Sequence, residues 1–155
     1  MLVFSRCPRA STTHCPPKCL RRSWGSVRIL LDTQIWLWTL VSPQRIGALA
    51  RHALADPANE LLLSAASAWE IAIKYRLGKL PLPCPPDELV ASRLVRDGIV
   101  PLAVAHHHAV HVARLPDHHR DPFDRLLVAQ AQLERLTIFT ADSRLAQYDV
   151  ACVLV

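Results

Sequence analysis

The chain has 155 residues, 51 % of them hydrophobic and 20 % charged, a balance that suits one globular domain with a real core. No apolar run approaches the roughly 20 residues of a membrane helix, and the leading residues lack the continuous apolar stretch of an export signal, so a cytoplasmic protein with no membrane contact is expected. The net charge of +5 is concentrated in residues 1–28, which hold Arg6, Arg9, Lys18, Arg21, Arg22 and Arg28 and no acid; the rest sets 12 of the 18 Lys and Arg against all 13 acids, so overall basicity makes no case for nucleic-acid binding.

Residues 1–26 are rich in Ser, Thr, Pro, Cys and Arg, show no periodicity, and are expected to be disordered. Val27 stands directly before the first apolar run, and bacterial genes can begin at a GTG codon. The natural start is therefore expected at or near Val27, with residues 27–155 as the domain. If the leading segment belongs to the protein, it is a basic arm able to touch RNA. Three of the five cysteines, Cys7, Cys15 and Cys19, lie there, and Cys84 and Cys152 lie beyond. An odd number without an export signal argues against a disulfide framework. Cys15 and Cys19 with His14 have poor zinc spacing and no evident fourth ligand.

From Val27 the pattern changes. Val27 to Leu31 reads as a buried strand with the polar exit Asp32-Thr33, and Thr33 to Val41 as a helix apolar on most sides. Ser42-Pro43 looks like an N-cap and first position of a helix carrying Ile46, Leu49, Ala50, Ala53 and Leu54, ended by Asp56-Pro57. Glu60 to Ser64 is the next strand. Ser67 to Leu77 is a helix stopped by Gly78, and Asp87 to Arg96 another that ends near Gly98. Ile99 to Leu102 is a short strand and Ala105 to Arg114 a helix. Asp121 to Arg135 is the clearest helix, followed by strand Leu136 to Thr140, short helix Ser143 to Tyr148 and strand Ala151 to Leu154. Alternating strands and helices with apolar strands imply an α/β fold, a three-layer α/β/α arrangement around a central, mostly parallel sheet.

Four acids stand at informative places. Asp32 directly follows a strand, where it could cap the helix behind it. Ser67 and Glu70 read as a capping box, and Glu70 could pair with Lys74 four residues on. Asp121 and Pro122 suit the N-cap and first position of their helix, which puts Asp124 at the third position, where the positive helix terminus would help keep it ionised. Asp142 follows a strand and could also cap. Each has a structural explanation alone, but in a parallel sheet all four fall on one edge, the edge at which such sheets bind ligands. Carboxylates crowded there raise one another's pKa, and a divalent cation removes the penalty. Mg²⁺ or Mn²⁺ suits such oxygen ligands, polarises a phosphoryl oxygen and activates a water; a second ion ~4 Å away would stabilise the leaving oxygen.

The segments Leu30-Leu31-Asp32-Thr33, Ser64-Ala65-Ala66-Ser67-Ala68-Trp69-Glu70-Ile71, His119-Arg120-Asp121-Pro122-Phe123-Asp124-Arg125 and Thr140-Ala141-Asp142 carry a resemblance to PIN-domain proteins, specifically VapC-type toxins of toxin–antitoxin pairs. They occur in family order over some 125 residues. The resemblance implies a PIN fold and Mg²⁺- or Mn²⁺-dependent RNA cleavage by activated water, leaving a 3′-hydroxyl and a 5′-phosphate. It places the family's four acids on Asp32, Glu70, Asp124 and Asp142, with Asp121 as the alternative for the third, and makes Thr33 and Thr140 candidates for a hydroxyl near the metal. It also implies a cognate antitoxin and a homodimer.

Other residues allow two readings. His107 and His111 have i,i+4 metal spacing, but no acid motif accompanies them, and a solvated helix start is expected. His118, His119, Arg120 and Arg125 could contact substrate phosphate; Lys74, Arg76 and Lys79 could bind RNA backbone or form a solvated face. Trp36 and Trp69 could stack bases, though burial in the core or in a partner groove is expected. The competing functional reading is a non-catalytic regulatory protein acting through a partner complex, its acids serving only as caps. A phosphoacceptor receiver domain would need a second acid near the first strand and a Lys after the last, and lacks both.

Overall fold

The computed structural model describes residues 26–155, so the expectations for the leading segment, including its cysteines and the start at Val27, concern residues outside those described. Five short strands, β1 (Arg28–Leu31), β2 (Glu60–Ser64), β3 (Val100–Leu102), β4 (Thr137–Thr140) and β5 (Cys152–Leu154), pair in the order β3-β2-β1-β4-β5, every pair parallel. The chain starts at the central strand, builds outward on one side to β3, then crosses to β4 and β5 on the other. Leu31 lies in register with Leu63 on one flank and Phe139 on the other. The order therefore switches between β1 and β4, and the crevice at their carboxyl ends is where a parallel sheet offers a binding site.

The helices are α1 (Thr33–Val41), α2 (Ala48–Ala55), α3 (Ala65–Arg76), α4 (Pro86–Arg96), α5 (His106–His111) and α6 (Pro122–Glu134). Strand alternation divides the core between the two faces of the sheet. Ile29, Leu31, Leu63 and Phe139 pack with Ile35 and Trp36 of α1, Ala50 of α2, Ile71 of α3 and Leu89 of α4. Leu30, Leu62 and Ile138 point the other way, onto Leu127, Val128 and Ala131 of α6. Both faces are covered, giving the three-layer arrangement. Among the described residues no helix is long and apolar enough to cross a membrane.

Several boundaries differ from the sequence expectation. α3 begins at Ala65, not Ser67, because Ser64 leaves β2 in extended backbone and its hydroxyl accepts the Ala66 N–H at 3.0 Å. Ser67 is thus inside the helix, and Glu70 is not the partner in a capping box. Ser42-Pro43 opens only a 3₁₀ turn, Pro43–Arg45, with no side-chain cap. Ile46 is extended and buried where the next helix was expected to run on, and α2 starts from Gly47. The helix expected over Ala105 to Arg114 tightens into a 3₁₀ turn after His111, and that expected over Ser143 to Tyr148 shrinks to a 3₁₀ turn, Leu145–Gln147. Gly78 and Gly98 end their helices as expected, at φ of 69° and 64°.

Candidate active site at the switch point of the sheet

Asp32 is the first residue past β1 and the N-cap of α1. Its Oδ1 accepts the Gln34 N–H at 3.1 Å, and its Oδ2 accepts the Thr140 hydroxyl at 2.5 Å. Thr140, fully buried at the end of β4, also accepts the Asp142 N–H at 3.0 Å through the same oxygen. One hydroxyl thus ties the exits of the two central strands together. Burial raises the pKa of Asp32 above the usual carboxylate range; the bonds from Thr140 and Gln34 oppose this, and the charges of Glu70 and Asp142 add to it.

Asp124 is the third residue of α6 and half-buried, its Oδ2 3.2 Å from His119 Nε2. Its pKa is raised to about 7, by burial first and then by the charge of Asp32, with His119 pulling the other way. The helix terminus was expected to keep this group ionised; loss of solvent and three neighbouring acids outweigh that field. Asp121 is the N-cap, its Oδ1 accepting the Phe123 N–H at 2.9 Å. Asp142 is held well below the usual range, above all by Arg144, whose guanidinium reaches both carboxylate oxygens, and further by His119 at 3.1 Å. Glu70 is buried on α3 and paired with Lys74 at 2.5 Å, the i,i+4 contact expected from spacing.

Asp32, Glu70, Asp121, Asp124 and Asp142 all line one cleft of about 390 Å³, with Thr33 and Lys74 on its wall. The crowding is uneven. Ligand atoms of His119, Asp124 and Asp142 lie within 4.8 Å of one another, while Asp32 and Glu70 face them from β1 and α3. The residues present fit a hard divalent cation. The acids offer oxygen donors, two of them are pushed toward protonation by burial and mutual repulsion, and the buried Thr33 hydroxyl beside them has no hydrogen-bond partner among the described residues.

Other expectations change. Arg125 is spent on the carbonyl oxygens of Val112, Leu115, Pro116 and His119, at 2.9 to 3.3 Å, and does not face the cleft. His119 is buried and turned toward acids rather than solvent, whereas Arg120 is exposed. The helix start at His106 is not wholly solvated: His108 is buried, with Nε2 3.0 Å from Glu134 Oε1, and His111 Nε2 lies 2.9 Å from Gln132 Oε1. Trp36 is buried in the core, one of the two expected places; Trp69 lies outside the core, 61 % exposed and edge-on to Phe123 at 5.3 Å. Arg144 was missed. The available signal was a cation two residues beyond an acid in a strand-exit turn.

An open parallel sheet with carboxylates gathered at its switch point places oxygen donors where such a sheet binds ligands. The PIN domain family model matches residues 29–151, and the chain belongs to the PIN-domain family, in its VapC branch. Ribonuclease VapC16 of Mycobacterium tuberculosis is 56 % identical over 117 residues, which cover 71 % of this chain and 73 % of that protein. Among solved structures, VapBC2 from Rickettsia felis, bound to a DNA fragment from its promoter, superposes with a TM-score of 0.62 at 14 % identity, covering 83 % of this chain and 98 % of the matched one. VapBC-1 from nontypeable Haemophilus influenzae gives a TM-score of 0.57 at 17 % identity, with the same coverage. At these identities the structural likeness is one of fold.

Proposed function

We propose that the protein is a Mg²⁺- or Mn²⁺-dependent endoribonuclease, the toxin of a toxin–antitoxin pair, acting on RNA in the cytoplasm. The observation that carries this is the set of acids sharing one cleft at the switch point of the sheet. The 56 % identical relative, itself a ribonuclease, supports the substrate class. Asp32, Glu70, Asp124 and Asp142 are proposed to hold one or two ions, with Asp121 left to cap α6. A bound ion would supply Lewis acidity toward a phosphoryl oxygen and an activated water.

The chain's own groups do the rest. Thr140 fixes the carboxylate of Asp32 and the turn that carries Asp142. Lys74 is placed to leave Glu70 for an RNA phosphate, and the exposed Arg120 is a second phosphate contact. A cognate antitoxin is the proposed partner, supported by the toxin–antitoxin assemblies of matching fold, and a homodimer is the proposed state of the toxin alone. The purified protein should cleave RNA with Mg²⁺ or Mn²⁺ and stop on chelation, and Asp32→Asn and Glu70→Gln should each lower kcat by about 100-fold or more. A folded protein that cleaves no RNA with either ion overturns the proposal.

A further inference from the structure

Among the described residues His119 is the buried imidazole beside the cleft, 5 % exposed, and every polar atom of the residue is engaged. Its backbone N–H donates to the Tyr148 phenol at 2.9 Å, and its carbonyl accepts from Arg125 at 3.3 Å. Ring Nδ1 accepts the Asp121 N–H at 3.0 Å. That bond decides the tautomer, because a nitrogen that accepts carries no hydrogen, so Nε2 bears the N–H. Nε2 faces Asp124 Oδ2 at 3.2 Å and Asp142 Oδ2 at 3.1 Å. Asp142 accepts the N–H, and Asp124 stands beside it at ion-pair distance; the two acids come from different elements, the first turn of α6 and the turn after β4.

The same geometry argues against His119 as a metal ligand. Coordination through Nε2 would need its lone pair, moving the hydrogen to Nδ1, where it would meet the Asp121 N–H head on. The ring also lies behind the acids, buried, so it is not placed to touch substrate phosphate. We propose that His119 is a positioning residue: its Nε2–H holds Asp142 Oδ2, and its ring sets how far Asp124 stands from Asp142 at the wall of the cleft. Asp142 is further fixed by Arg144, whereas Asp124 accepts no side-chain hydrogen bond among the described residues, and the His119 ring is the one basic side chain within ion-pair distance of it there.

The inference rests on the metal-site reading above, and Mn²⁺ binding tests it without RNA. By titration calorimetry on the full chain, His119→Ala should weaken Mn²⁺ binding by about 10- to 100-fold, the usual cost of losing a group that orients a metal ligand. His119→Gln, whose side-chain amide nitrogen reaches about as far as imidazole Nε2, should restore most of that affinity. In RNA cleavage, His119→Ala should lower kcat with KM unchanged, since the residue touches acids rather than substrate. Leu127→Ala is the control, loosening the core beneath α6 without touching the ring; it should lower the melting temperature and leave Mn²⁺ affinity within about threefold of the wild type. Unchanged affinity in His119→Ala, a KM effect alone, or an equal loss in Leu127→Ala overturns the positioning role while leaving the metal site intact. A wild-type chain that binds no Mn²⁺ overturns the metal site itself and His119's role with it.

Discussion

A carboxyl whose pKa is raised to about 7 stands where the proposed cation would bind. Asp124 has its pKa raised from 3.8 to about 7 by burial and by Asp32, so the folded chain holds this proton more tightly than the unfolded chain does. Between about pH 4 and about pH 7 the native state thus binds more protons, and by linkage its metal-free stability falls as the pH rises through that window, then levels off. Metal binding must expel the same proton. Mn²⁺ affinity should therefore climb by about tenfold per pH unit below about 7 and flatten above it, a profile that calorimetry in buffers of differing ionisation heat would resolve. A flat affinity below about pH 7 would show that metal binding expels no proton from Asp124. The acids themselves are legible in the sequence because strand exits and helix caps are local features. The partners of Asp142 and Asp32 are less so. Thr140 meets Asp32 across 108 residues, and His119 meets Asp142 across 23, contacts that no local pattern announces.

At the scale of elements, α3 shows why cap positions are hard to read. Ser64 and Ser67 are both plausible caps by type, and the sequence pattern favours Ser67 because Glu70 follows it at capping-box spacing. The fold decides for Ser64, whose hydroxyl accepts the Ala66 N–H and donates to the buried Gln130 of α6 at 2.5 Å, while Gln130 donates onward to the Ala103 carbonyl at 3.1 Å. Ser67 is left with a buried hydroxyl that has no partner among the described residues. The consequence is measurable. Ser64→Ala should destabilise the protein by about 2 kcal/mol in urea unfolding, losing a cap and leaving Gln130 short of a donor, whereas Ser67→Ala should cost about 0.5 kcal/mol or less. Equal costs at the two positions would contradict the assignment. Arg125 makes the same point about side chains. Its place in a motif beside two acids suggests substrate contact, but four carbonyls of the preceding turn claim its guanidinium.

For the whole molecule, alternation of apolar strands with helices was enough to give the layers, since a strand buried on both faces must be covered twice. The strand order was not legible, because nothing local says on which side of β1 a later strand will pair. Yet that order is what brings the four acids into one cleft. A site built from β1, α3, α6 and the β4 exit should couple metal binding to global stability. Saturating Mn²⁺ at about 100 times its Kd should stabilise the fold by about 2.7 kcal/mol and raise the melting temperature by several degrees, and Asp32→Asn should abolish most of that shift. An unchanged melting temperature under saturating ion would separate the acids from the cation.

The central position of β1 has a consequence for synthesis. Asp32 emerges early from the ribosome, but its carboxylate is held by Thr140, at the end of a strand that must slot in beside β1 after α6 is made. A nascent chain that stops short of β4 carries Asp32, Glu70 and Asp124 without Thr140 or Asp142 to complete the cluster. The order of strands thus withholds the finished cleft until nearly the whole domain has been translated and folded.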